Sequence, residues 1–148
     1  MQQLLQLGAA CNVSYLFTMD TDTLTGPAAV KKTISQALML RPKPNPVLVH
    51  FKVSGQGITL TDQSRKLFFR KHYNTNTITF CGMDPEDRRW IEKFRIFGYV
   101  AKKPTSKTQN QCHVFAEHDP DQPARAIVNF VNKVMLNGNN GGRSSDVV

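Results

Sequence analysis

The chain has 148 residues, 40% hydrophobic and 20% charged, with a formal net charge of +8 and a pI near 9.7. These totals suit one globular domain with a core of its own and exclude a disordered, fibrous or membrane-embedded chain. The basic excess favours an acidic partner (nucleic acid, a phosphoinositide-bearing membrane surface or an acidic peptide), and a solvated basic surface is the plainer alternative.

Cys11, Cys81 and Cys112 are odd in number and lack paired spacing, so no disulfide framework and no zinc site is expected. The opening segment MQQLLQLGAACNVSYLF has no charged leader and no apolar run long enough for a bilayer. Together these predict a reducing, cytoplasmic setting. Residues 1–7 read as the remnant of a linker.

Residues 12–19, NVSYLFTM, are aromatic and β-branched and predict a first strand. Leu24-Thr25-Gly26-Pro27 then starts a helix, with Thr25 or Gly26 as its cap and Pro27 in its first turn. Val30, Ile34, Ala37 and Leu38 form its buried side, leaving Lys31 and Lys32 exposed. RPKPNP, residues 41–46, excludes helix and predicts an extended connector.

A meander follows. Val47, Val49, Phe51 and Val53 share one face of a strand over residues 47–53, with His50 turned to solvent. Gly55-Gln56-Gly57 turns the chain into a short strand at 58–61, and Asp62-Gln63-Ser64-Arg65 turns it again. LFFRKHY (67–73) and TITFCG (77–82) are the next strands, then DPEDRRW leads a charged loop. RIFGYVAK (95–102) places Ile96, Gly98 and Val100 on one face and Phe97, Tyr99 and Ala101 on the other. QCHVFAE (111–117) is the last strand.

Pro123, with Asp119 and Asp121 near it, starts the final helix, and Asn137-Gly138 supplies its stop. Ile127, Phe130, Val131, Val134 and Met135 give that helix one apolar stripe. The Asn- and Gly-rich tail, residues 138–148, is expected to be disordered. The sum is an α+β chain, mainly β. Two antiparallel sheets form a sandwich or partly closed barrel of the pleckstrin-homology-like kind, capped by the C-terminal helix, with an extra helix after the first strand.

No chemistry of catalysis emerges. Cys112 and His113 are neighbours in a strand and point to opposite faces. The four histidines lack metal-ligand spacing, the carboxylates sit at turns and helix starts, and no phosphate-cradling glycine loop is present. A binding module rather than an enzyme is expected, with no cofactor and no metal. Arg65, Lys66, Arg70, Lys71 and His72 cluster in one hairpin. LFFRKHY interleaves aromatics with these charges, but the stacking motifs of RNA-reading sheets are missing, so nucleic acid is not the expected partner.

The runs VHFKVSGQGITLTDQSRKLFFRKHYNTNTITFC, DPEDRRW, IFGYVAKK, CHVFAEHDPDQPA and IVNFVNKVML, with LTGPAAV before them, resemble the phosphotyrosine-binding domain at the C-terminus of tensins. The resemblance covers about residues 8–137; the tail departs from it. It implies a fragment of a longer protein, without the Src-homology-2 domain that precedes this module in tensins. It also implies the pleckstrin-homology-like fold and binding of Asn-Pro-x-Tyr peptides, above all integrin β cytoplasmic tails at focal adhesions, without a need for tyrosine phosphorylation.

By the same resemblance the peptide adds to the edge of TITFCGM, residues 77–83. Ile78, Thr79, Phe80, Cys81, Gly82 and Met83 form that edge; Thr79, Cys81 and Gly82 meet the peptide while Ile78 and Phe80 face inward. Ile127, Phe130 and Met135 flank it from the helix. The tyrosine goes to a pocket near Ala101, Lys102, Lys103 and Cys112. The competing expectation is a phosphoinositide-binding membrane module using Lys31, Lys32, Arg65, Lys66, Arg70 and Lys71.

Overall fold

The computed structural model describes residues 8–139. The linker expected at 1–7 and the tail from 140 onward lie outside the described residues. The elements are β1 (Ala9–Asp22), α1 (Gly26–Met39), β2 (Val47–Ser54), β3 (Gly57–Asp62), β4 (Arg70–Asn74), a 3-10 turn (Thr75–Thr77), β5 (Ile78–Met83), β6 (Arg89–Trp90), β7 (Phe94–Lys102), β8 (Asn110–Glu117) and α2 (Ala124–Asn139).

All strand pairs are antiparallel, in the order β4-β3-β2-β1-β8-β7-β5, with β6 beside the start of β7. β1 outruns its expected span because it serves both halves of the ladder. Ala9 to Tyr15 pair with β2, and Val13 to Asp22 pair with β8. The register slips between Tyr15 and Phe17, and a bulge of this kind bends a strand. The bend folds the ladder into two facing layers that share β1. Phe51 on β2 and Phe97 on β7 are three ladder steps apart, about 14 Å in a flat sheet. Their ring centroids are 5.8 Å apart.

The space between the layers is filled by Val49, Phe51, Val53, Ile58 and Leu60 from one side and Phe97, Tyr99, Ala101 and Phe115 from the other. The C-terminal helix α2 closes it with Ala124, Ile127, Val128, Val131, Val134 and Met135. The alternation of β7 sends Ile96 and Val100 to the opposite face, where they meet Ala29, Val30, Ile34 and Ala37 of α1. A side chain at position 98 would come within 2.8 Å of the His113 carbonyl, so Gly98 is what lets β7 and β8 pack at that point. Thr25 is the N-cap of α1, Pro27 lies in its first turn, and Lys31 and Lys32 are exposed.

Three stretches differ from their sequence expectation. LFFRKHY is strand only from Arg70 onward. The buried carboxylate of Asp62 accepts the amides of Ser64, Arg65 and Leu67 at 3.0, 3.1 and 2.8 Å and the Ser64 hydroxyl at 2.6 Å. This local cap satisfies the backbone without a ladder and holds residues 63–69 as a loop. The Ser64 hydroxyl, with the Leu67 amide, holds the Asp62 carboxyl down at about 2. DPEDRRW is not all loop, since Arg89 and Trp90 pair with Arg95 and Phe94. Helix α2 continues through Asn137-Gly138 to Asn139.

Candidate functional site

β5 ends the ladder, and among the described residues no strand pairs with its outer side. The register fixes which backbone groups point outward. The Asp84 amide donates to the Ile96 carbonyl at 3.0 Å, so that pair is of the hydrogen-bonded kind. Counting back by two, Gly82 and Phe80, opposite Gly98 and Val100, also direct their amides to β7. Cys81 and Met83 therefore turn both N–H and C=O away from the sheet. The Cys81 carbonyl accepts a long bond of 3.4 Å from the Asn132 side chain of α2.

Helix α2 runs along this edge antiparallel to β5. Glu117 anchors its start, with Oε2 accepting the Ala124 amide at 2.8 Å and Oε1 the Arg95 amide at 3.0 Å. The helix then passes Cys81 at Asn132 and packs against the Thr75–Thr77 turn. On the other flank, the hydroxyls of Thr79 and the α1 cap Thr25 lie 2.6 Å apart. Asp84 fixes the far end of the strand. Its carboxylate binds the Arg88 guanidinium at 2.9 Å, and Arg88 reaches the Ser35 hydroxyl of α1 at 2.8 Å. Against the opposing effect of burial, the Arg88 guanidinium and the Glu86 and Arg88 amides hold the Asp84 carboxyl below its usual range.

The side chains of the edge divide as follows. A bulge at Thr79 puts Ile78 and Cys81 on one face, buried in the core under α2. Phe80 packs on the α1 face. A Cβ at position 82 would lie 2.7 Å from the Phe80 ring, so glycine there lets the ring lie across the strand. Met83 is half-buried against the core and Thr79 is exposed. The resemblance has Thr79, Cys81 and Gly82 meet a guest peptide. The Cys81 thiol is buried and pushed up by desolvation, and the Gly82 amide faces β7. Cys81 can meet a guest through its backbone alone. Of the helix residues, Ile127 is buried, Met135 nearly so, and Phe130 keeps accessible surface.

The expected tyrosine pocket is not formed by its four residues. Ala101 and Cys112 are fully buried on opposite faces of the sheet, in the inter-layer core and under α1. Lys102 and Lys103 instead line a surface pocket of about 490 Å³ with His72, Tyr73, Thr77 and Pro104. Lys103 pairs with Asp20 at 2.8 Å, a bond that lowers the Asp20 carboxyl. Alternation along β8 is the signal that could have removed Cys112 from the pocket; Tyr73 and Thr77 reach it through a fold contact that no local pattern shows.

The six basic residues expected at a phosphoinositide site do not form one surface. Lys31 and Lys32 lie on α1, with Lys31 paired to Glu86 at 3.1 Å. Arg65 and Lys66 lie in the β3–β4 loop. Arg70 faces outward from β4 beside His50, Lys52 and His72. Lys71 has the opposite parity, opposite Leu60, and its ammonium stands 5.2 Å from the Phe68 ring centroid. Among the described residues no three metal-ligating side chains gather, and no helix is long and apolar enough to cross a membrane.

The family model of the phosphotyrosine-binding domain matches residues 10–140. The chain is 59% identical over 137 residues to tensin-2 of Homo sapiens and 54% identical over 138 residues to tensin-1 of Gallus gallus. Each match covers 90% of this chain. It is 47% identical over 134 residues to tensin-4 of Mus musculus. The chain spans only 10% of tensin-2, 8% of tensin-1 and 19% of tensin-4. Among solved structures, it superposes on the C-terminal phosphotyrosine interaction domain of APBB2 from mouse with a TM-score of 0.62. That match has 17% identity and covers 93% of this chain and 90% of the other, a likeness of fold. The chain belongs to the phosphotyrosine-binding domain family, in its tensin branch.

Proposed function

We propose that this phosphotyrosine-binding domain is an adaptor module that takes an Asn-Pro-x-Tyr segment, as in integrin β cytoplasmic tails, as an added strand on β5. The carrying observation is the pair of outward-facing backbone units at Cys81 and Met83 on an edge that α2 flanks. Edge backbone supplies register and hydrogen bonds to an extended guest whatever its side chains. A guest antiparallel to β5 runs its C-terminal end toward Ile78. Its Asn-Pro-x-Tyr turn then reaches the pocket of Tyr73, Thr77, Lys102 and Lys103.

On this reading the whole protein acts in the cytoplasm at adhesion sites, joining receptor tails to the cytoskeleton. Lys102, Lys107 and His72 line the pocket and would tolerate a phosphate, and no arginine is among its described lining residues, so phosphorylation changes affinity little. The test is an amide-shift titration of the labelled chain with one integrin-tail peptide in unphosphorylated and phosphorylated forms. The largest shifts are expected at Cys81, Met83 and the Asn132 side chain, with Thr77 and Lys102 following at the tyrosine end. Saturable binding that leaves Ile78 to Met83 unmoved would overturn the proposal.

A further inference from the structure

Lysine side chains crowd the end of the molecule where a guest tyrosine would arrive. Lys102, Lys103 and Lys107 line the pocket of about 490 Å³ beside Tyr73, with no carboxylate among its described lining residues. A phosphotyrosine carries about −1.5 to −2 charges at pH 7. Ammonium groups around an open pocket favour it over a neutral tyrosine. One of the three is already engaged. The Lys103 ammonium lies 2.8 Å from the Asp20 carboxylate, and its side chain is only 25% exposed. Among the described residues, Lys102 and Lys107 have no such partner.

The ladder builds this engagement. Asp20, Gln111 and Ala101 form one cross-strand rung of β1, β8 and β7. Lys103 comes two residues after Ala101 and returns to the same face, its amide donating to the Gln109 carbonyl at 2.8 Å as β7 and β8 part. Its side chain reaches back over the rung to Asp20. The Gln111 carboxamide donates to the other carboxylate oxygen at 3.1 Å and fixes which way the carboxylate turns. The Lys103 and Gln111 bonds together lower the Asp20 carboxyl. A phosphate that recruits Lys103 must either break this pair or sit near the anion that keeps it. In the first case one charged partner replaces another. In the second the Asp20 charge opposes the phosphate. Either way most of the gain from the third lysine is lost.

We propose that Asp20 sets the specificity of the tyrosine pocket: by holding Lys103 it keeps the pocket indifferent to phosphorylation, and its removal makes the pocket a phosphotyrosine site. Asp20 acts through Lys103 rather than on the guest, so it is a positioning residue. The inference rests on the proposed docking of a guest tyrosine at this pocket. Asp20 is half exposed and asparagine has the same shape, so Asp20→Asn releases the ammonium without disturbing the fold.

The test titrates the parent chain, Asp20→Asn, Lys103→Gln and the double variant with one Asn-Pro-x-Tyr integrin-tail peptide, phosphorylated and not, read by calorimetry and amide shifts. The parent is expected to bind the two forms within about twofold of each other. Asp20→Asn should bind the phosphorylated form roughly tenfold more tightly, an advantage that shrinks as salt is raised, with the other form unchanged. Lys103→Gln should weaken only the phosphorylated form, by roughly threefold, because the Asp20 charge is left bare. The double variant should return to the parent ratio. Phenyl phosphate carries the ring and the phosphate without the peptide, so it reads the pocket even if no strand adds to β5. Asp20→Asn should take it roughly tenfold more tightly than the parent does, with shifts at Thr77 and Lys102. The proposal is overturned by a parent that already prefers the phosphopeptide tenfold, by an Asp20→Asn gain equal for both peptides, or by no gain for phenyl phosphate. Strand addition survives any of these if the peptide still moves Cys81 and Met83. Peptide binding that leaves Ile78 to Met83 unmoved overturns the β5 reading instead, and phenyl phosphate then decides for Asp20 alone.

Discussion

β5 and β4 are the two ends of one ladder, and they meet the problem of an unpaired edge in opposite ways. β4 is five residues long and exposes Arg70, Lys71, His72 and Asn74. A short, charged edge discourages further pairing, because a second strand would have to cover those charges. β5 is ITFCGM, with no charge at all. Its protection comes from α2, whose Asn132 side chain reaches the Cys81 carbonyl. One edge therefore rejects a strand and presents side chains, while the other keeps its backbone available. A binding module needs one edge of the second kind, and a second such edge would invite aggregation.

The largest expected effect removes what holds both edges in place. Phe51 is buried between the layers and touches Phe97, Tyr99 and Phe115. Phe51→Ala should cost about 3–5 kcal/mol by transfer loss and cavity formation together. Urea unfolding measures it, and the two ends should fail in one transition. Separate transitions would mean that the layers fold independently.

Acid should divide the ends. His113 is buried against Tyr73 of β4 and Tyr99 of β7, and burial, with the Lys71 charge, pushes it down to about 3. The unfolded chain takes that proton near pH 6.5, so between pH 6.5 and 3 it holds more protons than the folded one. This contribution is complete above pH 6.5 and is lost as pH falls toward 3. Asp62, held near 2, adds its own loss only below about pH 4. Denaturant midpoints at pH 7 and 4.5 should differ less for His113→Phe than for the parent. Amide exchange at pH 4.5 should rise first in β4, which His113 faces, and last along β5.

Arg88→Met acts at the other end. The Asp84 side chain is 1% exposed and would keep only backbone donors, while α1 loses its tie through Ser35. Charged hydrogen bonds of this sort are worth about 1.5–3 kcal/mol, and that loss should appear in thermal unfolding. Amide exchange should quicken around Met83 with β4 unchanged. An equal change at both ends would mean that the two edges are not held independently.

Much of the architecture is legible in alternation. The two faces of β7 follow from FRIFGYVAK, because a strand buried on both sides must carry apolar residues at every position. The stripe on α2 is read in the same way, and the edge follows once β5 is placed last in the ladder. Other features depend on contacts too distant for a pattern. Nothing local in LFFRKHY tells that Asp62 will hold its first three residues as a loop. The bulge at Thr79 reverses the inward and outward sense of Cys81 relative to Ile78. Ala101 and Cys112 sit near one end of β7 and β8 and still belong to different cores.

The β5 edge can be broken without breaking the sheet. The Met83 amide points away from β7, so Met83→Pro removes a donor that the ladder does not use. Peptide affinity should fall about tenfold, the loss of one backbone bond with a guest carbonyl left unpaired, while stability changes little. Gly82→Pro removes an amide that faces β7 and should destabilise the fold itself. If the two variants bind and unfold alike, the assignment of inward and outward amides is wrong.

The smallest effect is expected at the opposite end. Leu67 and Phe69 are mostly exposed, so replacing both by serine removes little buried area. Stability should stay within about 0.5 kcal/mol of the parent by thermal unfolding, because the loop is held by Asp62 and Phe68 rather than by its tip. Peptide affinity at β5 should not move. A clear loss of stability would mean that the two side chains are structural. Their exposure would then be incidental, and the contrast between a backbone edge and a side-chain edge would rest on β5 alone.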